Sequence, residues 1–261
     1  MSRSGYHAWN IRTPSERKLY DQVLKEAITE IHQGYKRSYG APRLHQELRN
    51  QGYICSVRRV NRLMREMGVK ASTTGLYAWR PGQHLFYSSA GNQRPNLDKP
   101  MTIGEQWTGD FTYIKTHQGW LYHAVVIDLF SRKIVGVSFS KKRGAHLTKQ
   151  ALQNALARQR NKPGCLFHSD QGVEYAAYEF RDLLEENGFT RSMSRKGNPL
   201  DNAEVESFFH TMKAELIHQK QFENAIEAVA NITEYIAFYN QERIHSSLDY
   251  QSPVNYEKLR A

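Results

Sequence analysis

The sequence has few of the features that mark secreted or membrane-bound proteins. Its 261 residues contain two cysteines, Cys55 and Cys165, which are far apart and fit neither a disulfide framework nor a CxxC metal site. No apolar run approaches the roughly 18 residues that cross a bilayer, and the N-terminal segment MSRSGYHAWNIR lacks the apolar stretch of a secretory signal. We therefore expect a cytosolic protein with reduced thiols, no structural zinc and no membrane partner.

Acidic residues are scarce in the first hundred positions. Residues 1–100 carry 17 Lys and Arg against 7 Asp and Glu, whereas residues 101–261 carry 19 of each, so the net charge of +10 lies in the first segment. Basic side chains that displace counterions supply most of the non-specific affinity for nucleic acid. The asymmetry favours a phosphate-binding module joined to a charge-balanced domain, although a basic surface that serves only solubility has the same signature.

Hydrophobic periodicity predicts three helices in the basic segment, at about 15–33, 42–50 and 56–67. On the first helix Leu19, Val23, Ala27 and Ile31 recur at fourfold spacing. On the third helix Val57, Val60, Met64 and Met67 are expected to face inward. The outward face of the third helix is expected to bind DNA through Arg58, Arg59, Asn61, Arg62 and Arg65. Two short helices with an arginine-rich second member indicate a helix-turn-helix. The alternative is a three-helix bundle with a solvated charged face.

The segment at 72–100 loses this periodicity and gathers Gly, Pro, Ser and Asn, which predicts a linker or an extended arm. Its aromatic and basic side chains suit either base stacking or packing on the neighbouring domain. They are Tyr77, Trp79, Arg80, His84, Phe86, Tyr87 and Arg94.

From residue 105 the pattern changes to that of strands. Three antiparallel strands are predicted at 105–115, 120–131 and 133–140, and further strands at 165–170 and 189–194. Helices are predicted at 144–160, at 174–187 with Ala176, Phe180, Leu183 and Leu184 buried, and from about 202, where Asp201 and Asn202 suit a helix cap. The fold class is therefore α/β, a mixed sheet with flanking helices.

Carboxylates fall at three points that this topology can bring to one edge of the sheet. Asp110 lies inside the first strand, where Asp is disfavoured, and Asp170 ends the fourth strand. The helix from 202 offers Glu206 on one edge of its apolar stripe and Glu204 on the other, and the helical wheel does not choose between them. Hard oxygen ligands suit Mg²⁺ or Mn²⁺, and two such ions about 4 Å apart can drive phosphoryl transfer.

Five stretches of the sequence resemble one known family. The runs WTGDFTYI, HSDQGVEY and DNAEVESFFHTMKAE, with 35 residues between Asp170 and Glu206, are similar to the DDE signature of the retroviral-integrase superfamily, and more narrowly to the OrfB transposases of the insertion sequence 3 family. The tail YNQERIHSSLDYQSPVNY at 239–256 and the segment 39–68 also resemble that family.

The resemblance implies an RNase H-like core and assigns the metal triad, with two ions, to Asp110, Asp170 and Glu206. It implies strand cutting by activated water, then attack by the freed 3′-hydroxyl, first joining the two element ends on one strand and later integrating a circular intermediate. It adds Lys213 and Arg243 as DNA contacts. Asp128 is assigned to structure, and His168 and His245 remain open between hydrogen bonding and catalysis.

The resulting organisation is a helix-turn-helix region at 1–71, an arm at 72–100, an RNase H-like core at 101–222 and a C-terminal helix and tail at 223–261. The expected partners are double-stranded DNA, further copies of the chain on that DNA, and an upstream reading-frame product, because the family's active form is a frameshift fusion. The expected location is the bacterial cytoplasm, on the nucleoid when DNA is bound.

Three other interpretations compete with this one. A non-catalytic DNA-binding regulator derived from a transposon would keep the basic helices but would not need every carboxylate. A retroviral-type integrase would carry a His-His-Cys-Cys zinc module, and no such spacing is present. A ribonuclease H would have little use for a helix-turn-helix.

Overall fold

The computed structural model describes residues 2–4, 7, 13–72, 99–170, 172–193 and 202–260. The chain divides into two compact units, Met1–Thr74 and Gly75–Ala261. The aromatic and basic residues of the predicted arm, and most of the loop predicted before residue 202, lie outside the described residues. No helix within the described ranges is long and apolar enough to span a bilayer.

The N-terminal unit contains three helices, α1 (Glu16–Gly34), α2 (Ala41–Asn50) and α3 (Val57–Glu66). Ser15 caps the start of α1 and Ser56 caps the start of α3, since each serine hydroxyl accepts a hydrogen bond from a backbone N–H of the first turn. All three pairs of helices are in contact. Their shared core consists of Leu24, Ala27, Ile28, Ile31, Tyr39, Leu44, Leu48, Val60, Leu63 and Met64.

The predicted first helix is present, but its fourfold apolar run is buried only in the second half, because Leu19 is 55% exposed and Val23 is 45% exposed. Each fourfold step advances about 40° around an α-helix, so a run of such steps drifts off the packed face. On α3 the prediction is wrong for Val57, which is 40% exposed, and it missed the fully buried Leu63.

The larger unit is built on a five-stranded mixed sheet. Its strands are β1 (Gln106–Thr116), β2 (Gly119–Asp128), β3 (Ile134–Ser140), β4 (Leu166–Ser169) and β5 (Thr190–Met193). They lie in the order β3-β2-β1-β4-β5, with β1, β2 and β3 antiparallel in sequence and β4 parallel to both β1 and β5. The predicted mixed sheet and its three antiparallel strands are confirmed.

Helices cover this sheet and bury its apolar side chains. They are α4 (Ala145–Arg158), α5 (Val173–Ala176), α6 (Tyr178–Glu186), α7 (Ala203–Glu215), α8 (Ala225–Gln241) and α9 (Pro253–Arg260). Helix α4 packs on β2 and β3, and α7 packs on β1. The close approach of α4 requires Gly136 on β3, since a Cβ there would lie 2.2 Å from the carbonyl oxygen of Ala151.

Two local predictions in this unit are wrong. The single helix expected at 174–187 is broken at Ala177, whose extended backbone (ψ 141°) separates α5 from α6 and leaves Ala176 exposed. Asn202 precedes α7 but makes no side-chain cap there. Its side chain is 4% exposed and instead lies against Thr108 on β1, which fixes the start of α7 to the sheet.

Candidate active site

The two aspartates of the predicted triad lie at the same level of neighbouring strands. In the parallel β1–β4 pair, Thr108 is in register with His168. Asp110 stands two residues beyond Thr108, and Asp170 stands two residues beyond His168, immediately after the end of β4. Because parallel strands advance together, the register alone carries both carboxylates to the same edge of the sheet.

The third carboxylate comes from the first turn of α7. Asn202 anchors the start of the helix on Thr108, and Val205, Phe208 and Met212 bury the stripe that faces the sheet. Glu206 follows Asn202 by one helical turn and is exposed to solvent over part of its surface.

Glu204 is held away from the other carboxylates by an ion pair. Its Oε1 atom lies 3.1 Å from the Arg132 guanidinium. The side chain of Glu204 is only 19% exposed, so this pairing is partly shielded from water. The contact gives a physical reason for preferring Glu206 over Glu204, which the helical wheel could not supply.

Electrostatics couples the three carboxylates. The pKa of Asp110 is raised from 3.8 to about 7; burial is the largest cause, and the charges of Asp170 and Glu206 add to it. The Phe111 amide, which donates to Asp110 Oδ1 at 2.7 Å, and the Lys213 ammonium both lower it. The pKa of Glu206 is itself raised by partial burial.

This arrangement fits a divalent cation by its chemistry, because the donors are hard carboxylate oxygens and their mutual repulsion is what a cation would relieve. Within the described ranges, however, no three His, Cys, Asp or Glu side chains are close enough together to hold one ion. Asp110 accepts a hydrogen bond from the Phe111 backbone amide, and Asp170 accepts one from the Gly172 backbone amide. The charges of the carboxylates therefore influence one another, although the three side chains do not meet around a single point.

A cleft of about 560 Å³ opens over the two aspartates. Its walls are Asp110, Phe111, Thr112, Tyr113, Trp120, Tyr122, Arg143 and Asp170. The Arg143 guanidinium lies 5.2 Å from the centre of the Phe111 ring and pairs with Glu174, whose side chain is 2% exposed. Neither Arg143 nor Glu174 was predicted from the sequence. The available signal was that Glu174 lies in the HSDQGVEY run, close to the strand end that carries Asp170.

Asp128 is confirmed as a structural residue. It is fully buried, and its Oδ2 atom accepts from the Gly104 amide at 2.8 Å, the Trp107 indole at 3.1 Å and the Gln159 amide at 2.7 Å. The Phe130 amide donates to the other oxygen, so four donors in all satisfy this carboxylate within the fold.

The two histidines are also buried in the fold. His168 Nδ1 lies 2.9 Å from the Ser192 hydroxyl, and the His245 ring packs edge-on against Tyr239. Neither histidine lines the cleft over Asp110 and Asp170. These positions favour hydrogen bonding and packing over a catalytic role.

The expected DNA contact at Arg243 is wrong, because that side chain is buried. It is 4% exposed and donates to both carboxylate oxygens of Glu215, at 2.7 and 2.9 Å. The Tyr235 hydroxyl donates to the same Glu215 carboxylate. Arg243 therefore joins the C-terminal segment to the end of α7 and has no surface for DNA.

The predicted DNA-contacting residues of α3 divide into two groups. Arg59 and Arg62 pair with Asp21 on α1, at 2.8 and 2.7 Å, so their guanidinium groups help to hold the three helices together. Arg58, Asn61 and Arg65 are exposed. Of the expected set, these three are the ones that the fold leaves on the surface.

Comparison with known proteins gives consistent matches along the chain. Two family models described as integrase core domain match residues 102–199 and 187–253, and a model described as HTH-like domain matches residues 19–75. The transposase for insertion sequence element IS904 of Lactococcus lactis is 40% identical over 255 residues, covering 96% of this chain and 99% of the relative. The transposase InsF for insertion sequence IS3A of Escherichia coli is 36% identical, covering 98% and 90%.

The fold comparison agrees with these matches. The cryo-EM structure of the simian T-cell lymphotropic virus intasome in complex with PP2A regulatory subunit B56 gamma contains a chain that superimposes with a TM-score of 0.54 at 13% identity. The match covers 88% of this chain and 74% of that chain. The predicted RNase H-like fold, preceded by a helical helix-turn-helix region, is thereby confirmed.

Proposed function

The chain belongs to the insertion sequence 3 family of integrase-core transposases, and from that premise we propose that Asp110, Asp170 and Glu206 are its catalytic carboxylates. The observation that carries the proposal is the β1–β4 register, which puts the two aspartates at one level. The pKa of Asp110, raised mainly by burial and further by the charges of Asp170 and Glu206, is consistent with the same grouping.

The enzyme is a DDE polynucleotidyl transferase that acts on DNA. Two linked reactions at phosphorus make up the proposed cycle. Water attacks a phosphodiester at the element end and leaves a free 3′-hydroxyl. That hydroxyl then attacks a second phosphodiester and displaces the 3′-oxygen of the neighbouring nucleotide, so that one ester bond forms as another breaks.

The protein's own part is to hold and shield the reacting groups. Asp110, Asp170 and Glu206 would hold two Mg²⁺ or Mn²⁺ ions, which when bound supply the positive charge that activates the attacking oxygen and stabilises the leaving one. Lys213 lies close enough to Asp110 to lower the pKa of that carboxyl, and in the proposed function its ammonium holds a phosphate beside the reacting group.

The N-terminal unit is proposed to supply affinity for duplex DNA. Its exposed Arg58, Asn61 and Arg65 would contact phosphates or base edges from α3, while Arg59 and Arg62 keep α3 fixed on α1 through Asp21. The proposed assembly on DNA contains several copies of the chain, and an upstream reading-frame product is a further proposed partner.

A gel assay on a matched pair of element ends tests the catalytic assignment. The wild-type chain is expected to cut and join the ends with Mg²⁺ and to do neither in EDTA. Asp170→Asn should lose both reactions while still binding the DNA, because an amide offers no anionic oxygen. Asp182→Asn, on the exposed face of α6, is the matched control and should cut and join normally. Normal cutting by Asp170→Asn would contradict the triad.

A further inference from the structure

The tip of the β1–β2 hairpin carries two large aromatic side chains that the fold leaves uncovered. Tyr113 is 59% exposed and Trp120 is 50% exposed, whereas the large aromatic side chains Trp107, Phe167 and Phe208 of the same unit are buried. Their ring centres are 5.3 Å apart and the rings are nearly perpendicular, at 83°. In such an edge-to-face pair at least one ring face stays open for a further flat group.

This aromatic pair is shared by two adjoining spaces. Tyr113 and Trp120 line the cleft over Asp110 and Asp170, and they also line a second cavity of about 560 Å³. A molecule that lies against the pair therefore extends directly from the reacting carboxylates into the second cavity.

The second cavity is positively charged. Among the described residues, three lysines and two histidines line it and no carboxylate does; the basic residues are Lys115, His117, Lys213, His218 and Lys220. Lys115 is exposed and directly opposite Trp120 in the β1–β2 register, and the Lys213 ammonium lies 5.6 Å from the centre of the Tyr113 ring. Flat aromatic faces interleaved with ammonium groups complement a nucleotide strand, which offers bases for stacking and phosphates for pairing.

The walls of this cavity are held in place by the fold. The His117 amide donates to the Phe222 carbonyl at 2.9 Å, which ties the hairpin tip to the segment after α7. Phe222 is 1% exposed, and Lys220 pairs with Glu227 at 3.0 Å. The aromatic pair therefore stands on a fixed hairpin and not on a loose loop.

We infer that Tyr113 and Trp120 form a stacking site for an unpaired nucleotide of the DNA strand whose phosphodiester reacts at Asp110 and Asp170. A base inside a duplex already has both faces stacked on its neighbours, so an open aromatic face selects a terminal or extruded base. The inference rests on the proposed function, because it takes the reacting strand to lie in the cleft. It adds to that function a separate subsite that favours frayed or distorted element ends.

The test uses the full-length chain in EDTA, so that binding is measured without cleavage. The probes are an element-end duplex with two unpaired nucleotides at the reacting 3′ end, and the same duplex fully paired. A 2-aminopurine in the unpaired position reports stacking directly through its quenching. The variants are Trp120→Ala, the conservative Trp120→Phe, and Tyr178→Ala, which removes an 80% exposed aromatic ring far along the chain on α6.

Trp120→Ala is expected to weaken binding of the unpaired probe by roughly 5- to 150-fold and to abolish the quenching, since base–aromatic stacking has that strength. Trp120→Phe should restore most of both, and the paired probe and the Tyr178→Ala variant should change little. Equal weakening of both probes would make Trp120 a general duplex contact and overturn the inference. A changed oligomeric state without DNA, with unchanged affinity for both probes, would assign the pair to a protein interface and also overturn it.

Cleavage assays separate this inference from the proposed function. If the wild-type chain cuts element ends with Mg²⁺ but Trp120→Ala binds the unpaired probe normally, the stacking site is wrong and the active site stands. If the wild-type chain cuts no DNA while Trp120→Ala loses the unpaired probe, the stacking site stands and the proposed reaction is wrong.

Discussion

Replacing Asp110 by Asn should make the catalytic unit more stable while it removes catalysis. The pKa of Asp110 is raised from 3.8 to about 7 in the folded protein, so the folded state binds this proton more tightly than the unfolded chain does. Stability must then fall as the pH rises between these two values, because the unfolded chain releases the proton first. An Asn side chain carries no charge at any pH and escapes this penalty.

The size of the effect follows from the pKa difference. One pKa unit corresponds to about 1.4 kcal/mol, so ionisation of Asp110 costs the folded state at most about 4 kcal/mol at pH 8 and about 2 kcal/mol at pH 5. Partial exposure of the side chain reduces both values. The advantage of Asp110→Asn over the wild type should therefore grow by roughly 2 to 3 kcal/mol at most between pH 5 and pH 8 and stay level above that. The hydrogen bond from the Phe111 amide survives, since an amide oxygen can accept it.

Urea unfolding in EDTA at pH 5, 6, 7 and 8 measures this difference, with tryptophan fluorescence as the signal because Trp107 is fully buried in the catalytic unit. Asp182→Asn is the control and should differ from the wild type by no more than about 0.5 kcal/mol at every pH. Added Mg²⁺ should raise the stability of the wild type at pH 8 and not that of Asp110→Asn. An advantage of Asp110→Asn that stays constant from pH 5 to pH 8 would refute the reasoning.

The remaining predictions concern three other charged sites. Glu206→Gln should abolish cutting and strand transfer with a change in unfolding free energy within about 0.5 kcal/mol, whereas Glu204→Gln should leave a working enzyme; the opposite pattern in the gel assay would mean that α7 presents its other edge. Arg243→Met should lower the free energy of unfolding by about 3–5 kcal/mol, because it leaves Glu215 buried and unpaired, and the double variant with Glu215→Leu should recover most of that loss. No recovery in urea unfolding would show that the pair is not the cause. Arg58→Ala combined with Arg65→Ala should reduce the slope of log affinity against log salt by roughly two, and an unchanged slope would remove these residues from the DNA interface.

The sequence predicted the strands well because their apolar alternation and turn residues are local signals. The same pattern located Asp110 in a strand and Asp170 at a strand end. These positions bring the two residues together once β1 and β4 are known to be parallel neighbours. Which face of each helix is buried was predicted less well. Fourfold spacing at Leu19 and Val23 looked regular in the sequence, but only packing against α2 and α3 decides which stripe of α1 is buried.

Pairing partners distant in the chain could not be read from the sequence. Arg243 stands in a polar tail and was predicted to contact DNA, and its burial depends on Glu215, which lies 28 residues earlier. Arg59 and Arg62 likewise face Asp21 about 40 residues away. An arginine with a carboxylate partner serves the fold, and one without such a partner remains available to phosphate, yet both look alike in a sequence.

The three carboxylates of the triad differ in how firmly the backbone holds them. Asp110 and Asp170 are fixed by the β1–β4 register and by hydrogen bonds from backbone amides, and both are partly buried. Glu206 is exposed, has one more side-chain torsion than Asp, and lies on a helix whose start is anchored one turn earlier by Asn202. Among the contacts of the described residues, none holds the Glu206 side chain to the backbone, so it can rotate at the least cost while the buried stripe of α7 stays in place.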